Sequence, residues 1–133
     1  ALNYRRSRFM QTGEVILSAV FSLSPGDPGQ IRERMADCMS RRREKQPLEY
    51  PSAGSFFKRP EGHFAGELID RCGLRGFAVG DAQISEKHAG FLINRGHATC
   101  RDILALSDAV CRIVREKTGV QLEREVRTVG EST

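Results

Sequence analysis

The sequence predicts an α+β domain, a small mixed sheet with helices packed on it. Three observations carry this. The segments 31–39 and 103–114 repeat apolar residues at helical spacing. Several shorter runs, 15–23 among them, alternate or cluster apolar residues as strands do. These signals do not alternate strictly along the chain, as a parallel βαβ array would require, and there is no internal repeat.

Taken in order, Val15, Leu17, Ala19, Phe21 and Leu23 fall on one side of a half-buried strand. Ser24-Pro25-Gly26-Asp27-Pro28-Gly29 breaks it and forms a boundary. Asp27 is placed to cap the next helix, with Pro28 at its first position. Ile31, Met35, Cys38 and Met39 then give that helix an apolar stripe, while Arg32, Arg34, Arg41, Arg42, Arg43 and Lys45 form its other face. That basic face reads as solvated, because no aromatic stacking residues interleave with the cations.

Phe64, Leu68, Ile69 and Cys72 predict a short helix stopped by Gly73. Short strands are expected at 77–79 and 91–93. Thr99 with Asp102 predicts a capping box. Ile103, Leu106, Val110, Ile113 and Val114 form the apolar stripe of a helix ended by Gly119, and 120–129 reads as a final strand. On that strand Glu123, Glu125, Arg127 and Val129 share one face, with Leu122, Arg124, Val126 and Thr128 on the other. A carboxylate and a guanidinium two residues apart can reach one site; the plain alternative is a cross-strand ion pair at a sheet edge.

The chain has 133 residues, 29% charged and 7% aromatic, with no Trp, which fits one ordinary globular domain. A net charge of +4 favours acidic partners mildly and does not by itself identify nucleic acid. Cys38, Cys72, Cys100 and Cys111 lack the spacing of a zinc cluster or redox pair, so no metal site is expected. They read instead as buried or half-buried apolar groups in a reducing cytoplasm. No apolar run nears the roughly 20 residues that span a bilayer. The opening Ala1 to Phe9 reads as a chain entered midway.

The most informative stretch is Tyr50 to Pro60. It sets Ser55 behind Ala53 and Gly54, beside Phe56 and Phe57, and next to Lys58 and Arg59. A hydroxyl held against aromatics with cations close by suits a pocket for an anionic ligand.

Four segments in this order resemble the UDP-N-acetylenolpyruvoylglucosamine reductase (MurB) family, in its C-terminal part. They are Asn3-Tyr4-Arg5-Arg6-Ser7-Arg8-Phe9; Lys45-Gln46-Pro47 with Ser52-Ala53-Gly54-Ser55-Phe56-Phe57-Lys58; Gln83-Ile84-Ser85-Glu86-Lys87-His88-Ala89-Gly90-Phe91; and Leu122-Glu123-Arg124-Glu125-Val126-Arg127. The shorter connections resemble the branch without the extra substrate-covering loop. The resemblance implies that 1–23 is the tail of a truncated FAD-binding domain and 24–133 the substrate domain. It implies an NADPH-dependent flavin oxidoreductase that reduces UDP-N-acetylglucosamine enolpyruvate to UDP-N-acetylmuramate in peptidoglycan synthesis.

By the same resemblance Ser55 is the proton donor to C2, with Arg5 and Glu125 acting on the substrate carboxylate. Lys45 matches a lysine that contacts the nucleotide-sugar; Lys58, Arg59, Arg127 and Tyr4 are further substrate-binding candidates. Without the resemblance Lys45 reads equally as an exposed lysine favourable to its helix dipole. FAD and NADPH belong to the parent protein and its own flavin domain. Neither is expected to hold tightly to this chain, which lacks glycine-rich flavin loops and is expected to be inactive alone. His88 reads as structural, and His63 as a loop or capping residue.

Two positions depart from the family's pattern: Asp81 stands where a second glycine is common after Gly80, and Arg124 where a proline is common. Arg124 is expected to matter little. The alternatives are a non-catalytic UDP-sugar-binding module and, from the 41–43 arginines, a nucleic-acid-binding domain. The second lacks any recognition motif. No membrane partner is expected.

Overall fold

The computed structural model describes residues 2–3 and 6–130. The chain forms two compact units, Ala1–Arg34 and Met35–Thr133. In the first, β1 (Leu2–Asn3) and β2 (Arg6–Ser7) pair antiparallel, followed by a single helical turn, α1 (Phe9–Thr12). The expected strand 15–23 does not form. Residues 13–27 have no regular structure, and Val15, Leu17 and Phe21 are exposed. Alternation alone does not make a strand, because its backbone groups need a neighbouring ladder.

Helix α2 (Pro28–Lys45) begins in the first unit and ends in the second. It starts as expected: the Gln30 N–H donates to the Asp27 carboxylate at 2.9 Å, with Pro28 at its first position. Its basic face is partly answered by local partners. Arg41 pairs with Asp37 at 2.7 Å, and the Arg42 Nε donates to Gln46 at 3.0 Å. None of its residues is buried, so Ile31, Met35 and Met39 present an exposed apolar stripe.

The remaining elements of the second unit are β3 (Ser52–Ser55), α3 (Ala65–Arg71), β4 (Ala78–Val79), β5 (Ala82–Ile84), β6 (Phe91–Asn94) and α4 (Cys100–Thr118). The sheet order is β3-β6-β5-β4, antiparallel throughout. The α+β expectation holds, and the mixed sheet narrows to an antiparallel one. Helix α4 packs on β4, β5 and α3. Leu106, Val110 and Val114 of its stripe are wholly buried against Ile69 of α3, Ile84 of β5 and Leu92 of β6.

Local signals place the helix ends. After α3 the Gly73 N–H donates to Asp70 O at 2.8 Å and the Leu74 N–H to Ile69 O at 3.2 Å, the paired bonds of a Schellman stop. At α4 the Asp102 N–H donates to the Thr99 hydroxyl at 3.2 Å, and the Thr99 N–H to the Asp102 carboxylate at 2.9 Å. This is the expected capping box. Thr99→Ala should cost about 1 kcal/mol, read as a lower urea midpoint at unchanged slope.

The bonds from Thr99 hold the Asp102 carboxyl below its usual range. A carboxylate depressed in the folded state stabilises the fold above its unfolded value, and that contribution fades as pH falls through the lower folded value. Between pH 4 and 2, in the roughly carboxylate range, Asp102→Asn should therefore lose less stability than the parent chain. An identical acid limb in acid-denaturation curves would refute this.

The Asp81 departure has a structural answer. Gly80-Asp81 joins β4 to β5, and the Asp81 carboxylate accepts the His97 N–H at 2.7 Å while its carbonyl accepts the Arg95 N–H at 2.9 Å. The turn is thereby tied to the loop after β6. Among the cysteines, Cys72 is buried and Cys111 half-buried as expected, but Cys38 and Cys100 are exposed. For Cys38 the reason is that α2 buries no face.

Candidate active site

Ser55 closes β3 at a bulge. Ser52 pairs with Ile93 and Ser55 with Phe91, so one more residue lies on β3 than on β6 between the two pairs. Gly54 takes up the difference at φ +79°, where an L side chain is strained although space around it is open. Gly54→Ala should therefore destabilise by about 1–2 kcal/mol through backbone strain alone, measurable by urea denaturation.

Ser55 itself is exposed, while Phe56 and Phe57 are both buried, edge to face at 5.4 Å between ring centroids. The expected pocket of aromatics around the hydroxyl is therefore corrected. The two rings anchor the strand in the core.

The final strand is shorter than predicted. Only the bridge between Phe57 and Arg124 forms, flanked by Lys58 N–H to Glu123 O at 2.8 Å and Glu125 N–H to Phe56 O at 2.9 Å. Continuing the ladder would need an N–H at Pro60, which has none, and extended backbone at Gly54, which is left-handed. The predicted faces nevertheless hold around the bridge. Leu122 is buried and Arg124 and Val126 are half-buried, whereas Glu123, Glu125 and Arg127 are exposed.

This register decides which predicted residues meet. The Phe56 carbonyl takes the Glu125 N–H, so Glu125 lies across from Phe56, one residue along from Ser55. Lys58 is engaged by an ion pair with Glu123, the cross-strand pair that spacing left open. The Arg59 guanidinium lies over the Phe64 ring at 3.9 Å. Lys45 ends α2, exposed, and Arg127 is exposed beyond the bridge; among the described residues no hydrogen bond or ion pair joins either to Ser55. Tyr4 and Arg5 lie outside the described residues.

The turn before β6 abuts Ser55, since the Phe56 N–H donates to Gly90 O at 3.0 Å. There the His88 Nδ1 accepts the Gly90 N–H at 3.1 Å, and its ring meets Phe91 edge-on at 4.8 Å. Those contacts make His88 a builder of the turn. The buried Ser85 hydroxyl accepts the N–H groups of Lys87 and His88, both at 3.2 Å. His63 sits in a loop turn, its N–H donating to Pro60 O at 3.2 Å.

Sequence reasoning missed a groove of about 260 Å³ lined by Tyr50, Gln83, Ser85, Ile93 and Arg95, in which Lys87 pairs with Glu49 at 3.6 Å. A second groove of about 500 Å³ runs along α4 at Cys111, Arg112, Arg115 and Gln121. Burial pushes the Cys111 thiol up, which keeps it protonated and a poor nucleophile. Charged side chains line both grooves, Glu49, Glu86, Lys87 and Arg95 in the first and Arg112, Arg115 and Glu116 in the second. Among the described residues no three His, Cys, Asp or Glu side chains gather as around a metal ion. Nor, among the described residues, is any helix long and apolar enough to cross a membrane.

A model of the UDP-N-acetylenolpyruvoylglucosamine reductase C-terminal domain matches residues 46–129. The chain is 56% identical over 132 residues to a UDP-N-acetylenolpyruvoylglucosamine reductase of Clostridium novyi, covering 99% of this chain and 43% of that protein. It is 52% identical over 130 residues to the enzyme of that name from Geobacillus thermodenitrificans, again covering 43% of it. A crystal structure of UDP-N-acetylenolpyruvylglucosamine reductase (MurB) from Thermus caldophilus aligns at TM-score 0.61 and 39% identity. That alignment covers 78% of this chain and 37% of the other. The chain thus spans less than half the length of these relatives.

Proposed function

The chain belongs to the family of the C-terminal domain of UDP-N-acetylenolpyruvoylglucosamine reductase, and from that premise we propose that it is the substrate-binding part of such an enzyme. The observation carrying this is the backbone register that sets Glu125 against Phe56, next to Ser55. Residues 24–133 form the substrate domain in this reading, and 1–23 the end of a flavin domain. The substrate is UDP-N-acetylglucosamine enolpyruvate, the product UDP-N-acetylmuramate, and the setting the cytoplasm, in keeping with four free thiols.

In the reaction proposed for the whole enzyme, FAD reduced by NADPH supplies hydride to C3 of the enolpyruvyl group. In this reading the flavin is held by the rest of such a reductase. What this chain contributes is the proton and the charge. Hydride arrival at C3 leaves an electron pair at C2, delocalised into the carboxylate. The Ser55 hydroxyl gives its proton to C2, and its oxygen is reprotonated from solvent.

A serine hydroxyl is a weak acid and serves only against a strongly basic carbanion. Arg5 and Glu125, one by its cation and the other by a shared proton, stabilise the carboxylate as charge accumulates on it. Lys45 and Arg127, with Tyr4, are assigned to the nucleotide-sugar. Lys58 and Arg59 can join them only by leaving Glu123 and Phe64.

The test is a titration of this chain with UDP-N-acetylglucosamine and with its enolpyruvyl derivative, followed by addition of a separately expressed flavin domain and NADPH. Binding of the enolpyruvyl compound with NADPH oxidation in the reconstituted pair is expected. Binding without turnover in an intact reductase would favour the alternative, a non-catalytic UDP-sugar module, and absence of both would refute the proposal.

A further inference from the structure

The chemistry assigned above needs Glu125 held in place, yet the segment that carries it forms only one bridge to the sheet. Its neighbours in the segment help to fix it. Arg124 does so from the opposite face of the segment. Its Nη2 donates to the Leu104 carbonyl of α4 at 3.3 Å and pairs with the Asp108 carboxylate one turn further along the same helix. Leu122, two residues earlier, is buried in the core, and its carbonyl accepts the Cys111 thiol at 3.6 Å.

On the other side Lys58 ties Glu123 to the Ser55 strand through both backbone and side chain. The segment is therefore gripped between the strand carrying Ser55 and the helix on which the core is built.

We infer that Arg124 is a positioning residue, which sets Glu125 against Ser55 by docking the terminal segment onto Leu104 and Asp108 of α4. This rests on the reading of Ser55 and Glu125 proposed above. One end of the guanidinium suffices, because the two N–H groups of Nη2 can serve a carbonyl and a carboxylate together. The Asp108 side chain is 74% exposed, and an ion pair so open to water adds little stability. The contact's consequence is thus geometric. A carboxyl displaced by about 1 Å at a reacting centre can lose on the order of a hundredfold in rate. These contacts lie beyond the backbone N–H on which the expectation for Arg124 rests.

The experiment uses the full-length reductase carrying this chain, with its flavin reduced anaerobically by NADPH and then mixed with the enolpyruvyl substrate. Arg124→Ala should slow reoxidation at saturating substrate by about tenfold or more. The half-saturating concentration should change less than about twofold and the NADPH step not at all, since the loss falls on the chemical step. Asp108→Asn should lose less, because the Leu104 carbonyl remains. The double variant should lose no more than Arg124→Ala, as residues acting through one contact do.

Arg124→Lys should recover part of the rate. Arg112→Ala, on the same helix and paired with Glu116 at 3.5 Å, serves as the control and should leave both steps unchanged. An Arg124→Ala enzyme that reoxidises at the parent rate overturns the inference alone. So does one whose rate falls only in proportion to its folded fraction. A parent enzyme that the enolpyruvyl compound cannot reoxidise overturns the functional reading, and this inference with it.

Discussion

Replacing Ser55 with alanine is expected to slow reoxidation of the reduced flavin by the enolpyruvyl substrate by about 10²–10⁴-fold, the range for loss of a placed general acid. Reduction of that flavin by NADPH should be untouched. The split follows from what Ser55 does in the proposed mechanism. It meets the substrate only when an electron pair has formed at C2, and it takes no part in the earlier half-reaction.

The structure makes alanine a clean probe here. Ser55 is exposed at the end of β3, its hydroxyl fills no core space, and Phe56 and Phe57 anchor the strand without it. Folding should be unaffected to within about 0.5 kcal/mol, as for surface substitutions generally. Stopped-flow traces of the two half-reactions, run separately, give the answer. Equal loss in both would show that the substitution acts through the fold, and would remove Ser55 from the role of proton donor.

The parts of this fold legible in the sequence are those decided within a few residues. The Thr99–Asp102 box and the Gly73 stop read correctly because their partners lie a turn away, and the stripe of α4 because its apolar positions recur turn by turn. Val15 to Leu23 failed for the opposite reason. Its alternation is genuine, but a strand is completed by a ladder, and no pattern within the segment reports whether one exists. The final strand failed at its partner, since Pro60 and Gly54 end the pairing at either side of a three-residue contact.

The candidate site divides in the same way. The pairing of Ser55 with Glu125 is implied by resemblance to a family; the register that sets Glu125 across from Phe56 is information no spacing contains. Lys58 looked like a free cation because Glu123 is distant in sequence, and the two phenylalanines looked like a pocket because exposure was unknown. The reach of Arg124 is likewise invisible in its spacing. A residue judged only by the backbone N–H it restores turns out to reach a helix sixteen residues away in sequence.

Leu106→Ala is expected to cost about 2–5 kcal/mol, the range for emptying a fully buried leucine site. Small domains are stable by roughly 5–15 kcal/mol, so this one change can remove much of the margin. Leu106 earns the prediction by position. It is wholly buried on α4, the helix that packs on α3, β4 and β5 together, so the space it leaves is bounded by elements that cannot all close inward.

Urea unfolding of this chain should show a lower midpoint at an unchanged slope, and the shift should exceed that of Thr99→Ala, which removes only a cap from the same helix. A smaller shift than the cap variant's would mean that α4 is not the centre of the core. The effect should also reach the site. Leu104 and Asp108 flank Leu106 on α4 and hold Arg124, so loosening this helix loosens the segment that carries Glu125. In the full-length enzyme the surviving folded fraction of Leu106→Ala should therefore be slower in substrate-dependent reoxidation than its folded population alone accounts for. Partial filling by Leu106→Met should restore stability and rate together.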